Sequence, residues 1–134
     1  NKFPYLDKWN SRRKQIADTY TNAFHDSMVI TPWQHPDTES SFHLYPIRIK
    51  SMKNKIDRNF LYKKLKAINI GVNIHYIPIY RHTYYQNLGF RRGYCKQAEK
   101  FFQEVITLPI FPSLSESKQS FVIQNILKFI LLFE

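Results

Sequence analysis

Prolines decide where this chain can hold regular structure. They stand at 4, 32, 36, 46, 78, 109 and 112, and each lacks an N–H and biases its predecessor away from helix. The stretches between them carry apolar residues at three-to-four spacing, the pattern of a helix with one buried face. Leu6, Trp9, Ile16, Tyr20, Ala23 and Phe24 predict a helix from about Tyr5 to His25, with Pro4 at its start, where a missing N–H costs nothing. Asp57 caps a second helix that buries Phe60, Leu61, Leu65 and Ile68, and Gly71 closes it. A third is expected from about Gly93 to Thr107, burying Cys95, Ala98, Phe101, Phe102, Val105 and Ile106. Ser115 caps a last helix whose stripe holds Val122, Ile123, Ile126, Leu127, Ile130 and Leu131.

Strands are fewer and shorter. FHLYPIRIK, residues 42–50, alternates so that His43, Tyr45, Ile47 and Ile49 share a face. Pro46 predicts an edge or a bulge there. Ser27–Ser41 reads as loop with a short strand near Met28–Ile30, and Ser51–Ile56 as a charged turn. Val72–Tyr76 reads as a short strand, and Leu108–Pro112 as extended. The order is helix, strand, helix, strand, helix, extended piece, helix. That predicts an α+β fold, a small and mostly antiparallel sheet with helices on one side. At 134 residues the chain fits one domain, 1–134,.

Composition narrows the function classes. A single cysteine among 134 residues cannot form an intramolecular disulfide, which suits a cytoplasmic setting,. The apolar tail from Phe121 to Phe133 is short and carries Gln124, Asn125 and Lys128, so no membrane span is expected. The first residue is Asn rather than Met, which admits a fragment of a longer protein. The net charge of +10 attracts anions,. Its basic residues are scattered, however, which ranks solvated surface first, an anionic substrate second and nucleic acid third. Cys95 is expected as a packed hydrophobe, and His43 as a histidine bonded within the fold. Arg48 is expected either to pair with a carboxylate or to stay solvated. The sequence has no CxxC or HxxxH pair, paired carboxylates or phosphate-binding glycine loop, so no catalytic or metal set is predicted.

The functional signal is concentrated in GVNIHYIPIYRHTYY, residues 71–85. His75 and Tyr76 end a predicted strand just before Pro78, at a place where sites are commonly displayed. Tyr80, Arg81 and His82 follow, with Tyr84 and Tyr85 beyond. Phenols, imidazoles and a guanidinium are costly to bury unpaired, and an arginine beside aromatic rings suits an anionic or planar ligand. His75, Tyr76, Tyr80, Arg81 and His82 are the predicted substrate-binding residues.

These residues also carry a resemblance. SSFHLYPIRI (40–49), GVNIHYIPIYRHTYYQNLGF (71–90), AEKFFQEVITLPIFPSL (98–114) and the helix after them are similar, in order and spacing, to the C-terminal part of the DegT/DnrJ/EryC1/StrS sugar-nucleotide aminotransferases. LDKWNSRRKQIADTY resembles the helix that links that part to what precedes it. HYIPIYRHTYYQNLGF is most similar to the branch that aminates a UDP-linked keto sugar in pseudaminic acid biosynthesis. The resemblance implies the small domain of a type I aminotransferase fold, pyridoxal 5'-phosphate (PLP) as cofactor, glutamate as amino donor and a homodimer. It places the cofactor-binding lysine and carboxylate in a large N-terminal domain, so this chain by itself is expected to be inactive. His75 and Tyr76 match the family's HY pair at the sugar-nucleotide site, and Tyr80, Arg81 and His82 fall in the adjoining variable loop. The alternatives are a stand-alone basic module for RNA or another polyanion, and a structural dimerisation domain.

Overall fold

The computed structural model describes residues 3–49 and 57–132. Lys50 and the expected turn Ser51–Ile56 lie outside the described residues. A 3-10 turn at Phe3–Tyr5 leads into helix α1, Leu6–Phe24. Its inward stripe is Ile16, Ala17, Tyr20 and Phe24, all buried, while Leu6 is exposed and Trp9 half-buried.

The sheet is antiparallel, with strands β1 (Val29–Ile30), β2 (Tyr45–Ile49) and β3 (Val105–Leu108) in that spatial order. Tyr45, Ile47 and Ile49 alternate inward as their period-two spacing requires,. His43 lies before the strand, exposed and without a hydrogen bond among the described residues, contrary to its expected internal role. Strand β2 is central, so Pro46 is not on an edge strand. The proline is tolerated because β1 pairs only with Arg48 and Ile49. At Pro46 the sheet is therefore two strands wide among the described residues, with Thr107 of β3 opposite.

The third helix differs most from expectation. Helix α4 covers Lys96–Glu104 and stops there, and Val105–Leu108 is strand β3. Val105, Ile106 and Thr107 are consecutive β-branched residues, which lose χ1 freedom in a helix and pack well on a pleated sheet. All of β3 is buried. The strand expected at Val72–Tyr76 is reduced to a bridge, in which Asn73 and Thr107 exchange N–H···O bonds of 3.2 and 2.8 Å.

Helix α2, Arg58–Ala67, begins as expected, with the Asp57 carboxylate accepting from the Asn59 N–H. It ends on Asn69 rather than Gly71. Asn69 takes a positive φ of 60°, and the N–H groups of Asn69 and Ile70 return to the carbonyls of Lys66 and Leu65. This paired closure satisfies otherwise free helix-end carbonyls, and asparagine tolerates the left-handed region almost as glycine does. Helix α5, Glu116–Leu131, is capped by Ser115, whose Oγ accepts from the Lys118 N–H at 3.3 Å. Val122, Ile126 and Ile130 are buried, Ile123 and Leu127 half-buried, and Leu131 exposed.

The core lies where α1, α2 and α5 meet the inward residues of the sheet. Its polar contacts are specific. Tyr20 donates to the Pro109 carbonyl at 3.0 Å, and the Tyr45 hydroxyl lies 2.7 Å from Thr21 Oγ1. Burial raises the pKa of both phenols, that of Tyr45 to about 12, so both stay neutral. Gln119 is buried in α5 and donates to the Ile16 carbonyl at 2.8 Å, tying α5 to α1. This is the expected α+β arrangement. Among the described residues no helix is long and apolar enough to cross a membrane.

Ile47 is fully buried at the centre of β2. Ile47→Ala should destabilise the fold by about 2–5 kcal/mol, seen as a lower urea midpoint with an unchanged slope.

Candidate functional site

The bridge between Asn73 and Thr107 fixes the point at which the chain leaves the sheet. His75 is half-buried there, its Nδ1 3.0 Å from Thr107 Oγ1. A cis peptide joins it to Tyr76, whose ring centroid lies 4.5 Å from the imidazole. Tyr76 is 68% exposed. The pair is thus held at its histidine and open at its tyrosine. Pro78 is buried and starts a 3-10 turn, Ile79–Arg81, and His82 leads into the short helix α3, Thr83–Asn87.

Within this turn the predicted binding residues separate. Tyr80 points inward and is only 7% exposed. Its hydroxyl lies 3.0 Å from the Cys95 carbonyl and 3.1 Å from Glu99 Oε1, and the two acceptors share its single proton,. Arg81, half-buried, reaches the same helix about one turn along and places its guanidinium 5.5 Å from the centre of the Phe102 ring. Its guanidinium makes no hydrogen bond or close ion pair among the described residues, so its N–H groups are available. His82 and Tyr84 are exposed, and Tyr85 is half-buried. The structure therefore displays His75, Tyr76, Arg81 and His82 along one continuous segment and withdraws Tyr80 into its support.

Glu99 is the residue that sequence reasoning missed. From α4, its Oε1 accepts both the Tyr80 hydroxyl and the Gly93 N–H, the latter at 2.7 Å. The Gly93 bond is the main reason that this carboxylate titrates below its ordinary 4.5, with Tyr80, Arg81 and Arg92 acting in the same direction against partial burial. Burial and the Glu99 contact raise the Tyr80 phenol. Between the two donors, Gly89 (φ 98°) closes α3, and the Phe90 N–H returns to the Tyr85 carbonyl at 3.2 Å. Phe90 and Tyr94 meet edge to face at 4.9 Å, and Tyr94 packs on Tyr80 at 5.5 Å,.

Cys95 does not pack in the core. It is the exposed residue just before α4, in extended conformation. Helix α4 begins at Lys96, after Cys95, and its only buried residue is Glu104. Ala98 and Phe102 are half-buried and Phe101 is 37% exposed. Arg48 finds a carboxylate, Glu104 at 3.7 Å. Among the described residues no group of three or more His, Cys, Asp or Glu is placed to hold a metal. A groove of about 530 Å3 lies elsewhere, lined by Ile70, Pro109, Phe111, Leu114, Phe121 and Val122 among others.

Comparison with known proteins agrees with this architecture. The model of the DegT/DnrJ/EryC1/StrS aminotransferase family matches residues 1–127. The chain belongs to this family. It is 32% identical to the spore coat polysaccharide biosynthesis protein SpsC of Bacillus subtilis, over 90% of this chain and 32% of that protein. It is 33% identical to the UDP-4-amino-4,6-dideoxy-N-acetyl-beta-L-altrosamine transaminase of Helicobacter pylori, over 95% and 33% respectively. Among solved structures, Spr1654 of Streptococcus pneumoniae in its PLP-form superposes with a TM-score of 0.89 at 29% identity, covering 99% of this chain and 34% of that one. The chain spans about a third of the length of these relatives.

The Glu99 carboxylate supplies a pH test. Its folded pKa is depressed, so its contribution to loop order is complete above the ordinary glutamate value. That contribution is lost as pH falls through the folded value. The Gly93 amide proton shift, followed by NMR, should titrate with a midpoint below 4.5. A midpoint at or above that value counts against the bond.

Proposed function

We propose that this chain is the small C-terminal domain, with its linking helix α1, of a PLP-dependent aminotransferase. The intact enzyme transfers an amino group from glutamate to a nucleotide-linked keto sugar, with a UDP-linked sugar as the substrate class, and works as a cytoplasmic homodimer. The observation that carries this reading is the segment 75–82. It sets an anchored histidine, an exposed tyrosine and an available guanidinium in sequence along one wall. Membership of the aminotransferase family supports the reaction class, and the name of the Helicobacter relative supports the UDP-sugar class.

We assign no cofactor site to this chain. The carboxylate beside the loop, Glu99, is already bonded to Gly93 and Tyr80. Lys14 pairs with Glu39, and Lys64 and Lys66 lie over Phe60 and Tyr62 on α2. In this proposal the cofactor and its lysine belong to a large domain outside these residues, and the chain contributes binding. Arg81, steadied on Phe102, offers paired N–H donors to a diphosphate. Tyr76 offers a ring face and a phenol. His75, held by Thr107 through Nδ1, leaves Nε2 without a hydrogen bond among the described residues, and His82 adds a polar rim. Tyr80 serves by anchoring.

A basic nucleic-acid module has weaker support. Arg12, Arg58 and Arg91 direct guanidinium groups to backbone carbonyls at Leu114, at Phe102 and Gln103, and at Gln86 and Phe90. These charges are partly committed within the fold.

The isolated chain mixed with PLP should show no borohydride-reducible adduct at a single lysine and no glutamate-dependent amination. A stable adduct would sink the proposal. In the intact enzyme, Arg81→Ala should raise KM for a UDP-linked keto sugar roughly tenfold or more, the scale of a lost charge-assisted hydrogen bond.

A further inference from the structure

The segment that displays Arg81 is pinned from below by a single carboxylate oxygen. Glu99 Oε1 accepts from Tyr80, the residue before Arg81, and from Gly93, in the turn that precedes α4. These donors stand at the two ends of the excursion that contains α3. One acceptor on a helix therefore closes both ends of a loop that carries the half-buried Arg81 and exposes His82 and Tyr84. The Tyr80 hydroxyl also reaches the Cys95 carbonyl, so the phenol is held at the start of the same helix. Three residues beyond Glu99, one helical turn along α4, Phe102 carries the Arg81 guanidinium,. Glu99 and Phe102 thus form a shelf, one bonding the side chain next to Arg81 and the other lying under its guanidinium.

We propose that Glu99 is a positioning residue for nucleoside diphosphate binding, acting through Arg81 by holding the Tyr80–Gly93 loop in the conformation that presents the guanidinium. This rests on the reading of Arg81 as the diphosphate-binding group. Electrostatics alone predicts the opposite sign. A carboxylate near the site repels an anion, so its removal should tighten binding if charge were all that mattered. Positioning predicts weaker binding when the acceptor is lost and recovery when an uncharged acceptor replaces it.

The test uses the intact enzyme and UDP as the probe, with dissociation constants from calorimetry and folding checked by near-UV circular dichroism. Glu99→Ala should weaken UDP binding about tenfold, as expected when a doubly used acceptor is removed. Glu99→Gln keeps an oxygen that accepts both bonds and should bind within about twofold of the parent, since a carbonyl acceptor meets the same geometry. In an Arg81→Ala background, Glu99→Ala should add little, because interaction through one residue is non-additive. Should Glu99→Ala fail to fold, Tyr80→Phe, which removes one of the two donors, should weaken binding in the same direction by less. Unchanged or tighter UDP binding in a folded Glu99→Ala variant overturns the inference, as does additivity with Arg81→Ala. If Arg81→Ala itself leaves UDP affinity unchanged, or the parent does not bind UDP, the binding reading falls and this inference with it. If Arg81→Ala weakens binding and Glu99→Ala does not, only the role of Glu99 falls.

Discussion

The pairing of β3 with both of its neighbours is the constraint on which the rest depends. On one side Val105–Leu108 forms the antiparallel ladder with β2, and on the other Thr107 exchanges backbone bonds with Asn73. The first pairing buries Ile47 against Ile106 and sets the floor of the core. The second fixes where the chain leaves the sheet, and the Thr107 side chain then orients His75. Core and candidate site are therefore joined at one residue, whose backbone serves the fold and whose hydroxyl serves the site.

The helix before β3 is read differently once that role is clear. Helix α4 contributes only Glu104 as a buried residue, so it is not a core helix in the way α1 and α5 are. It works as a platform. Glu99 holds the loop by hydrogen bonds and Phe102 steadies Arg81, while Arg58 reaches from α2 to bond the Phe102 and Gln103 carbonyls and lies over the same phenyl ring. A residue pattern that looked like a core stripe instead supports a displayed segment.

Much of the fold was legible in the sequence because its signals are local. The stripe Ile16–Tyr20–Phe24, the caps Asp57 and Ser115, and the alternation Tyr45–Ile47–Ile49 each follow from spacing within one segment. Failures occurred where a distant partner decided. Val105, Ile106 and Thr107 continue a helical spacing, but β2 supplied backbone partners and the β-branched run became a strand. Gly71 is the obvious helix terminator, yet asparagine two residues earlier makes the left-handed turn, which returns the Ile70 N–H to the Leu65 carbonyl and leaves Ile70 in the core. Tyr80 looked like a ligand-facing phenol until Glu99 and the Cys95 carbonyl gave it an internal partner.

By itself, the sequence determined the segmentation by proline, the helix caps, the inward faces of α1, α2, α5 and β2, and the prominence of residues 75–82. These depend on periodicity and on the hydrogen-bonding inventory of single residues. Only the tertiary structure decided that β3 follows α4 without a loop, that Cys95 is exposed, and that Tyr80 and Arg81 both reach α4, at Glu99 and at Phe102. It alone placed Glu99 beneath the loop. The physical reason is common to all four. Each depends on which acceptor, ring or strand edge arrives from elsewhere in the chain, and spacing along one segment does not encode that arrival.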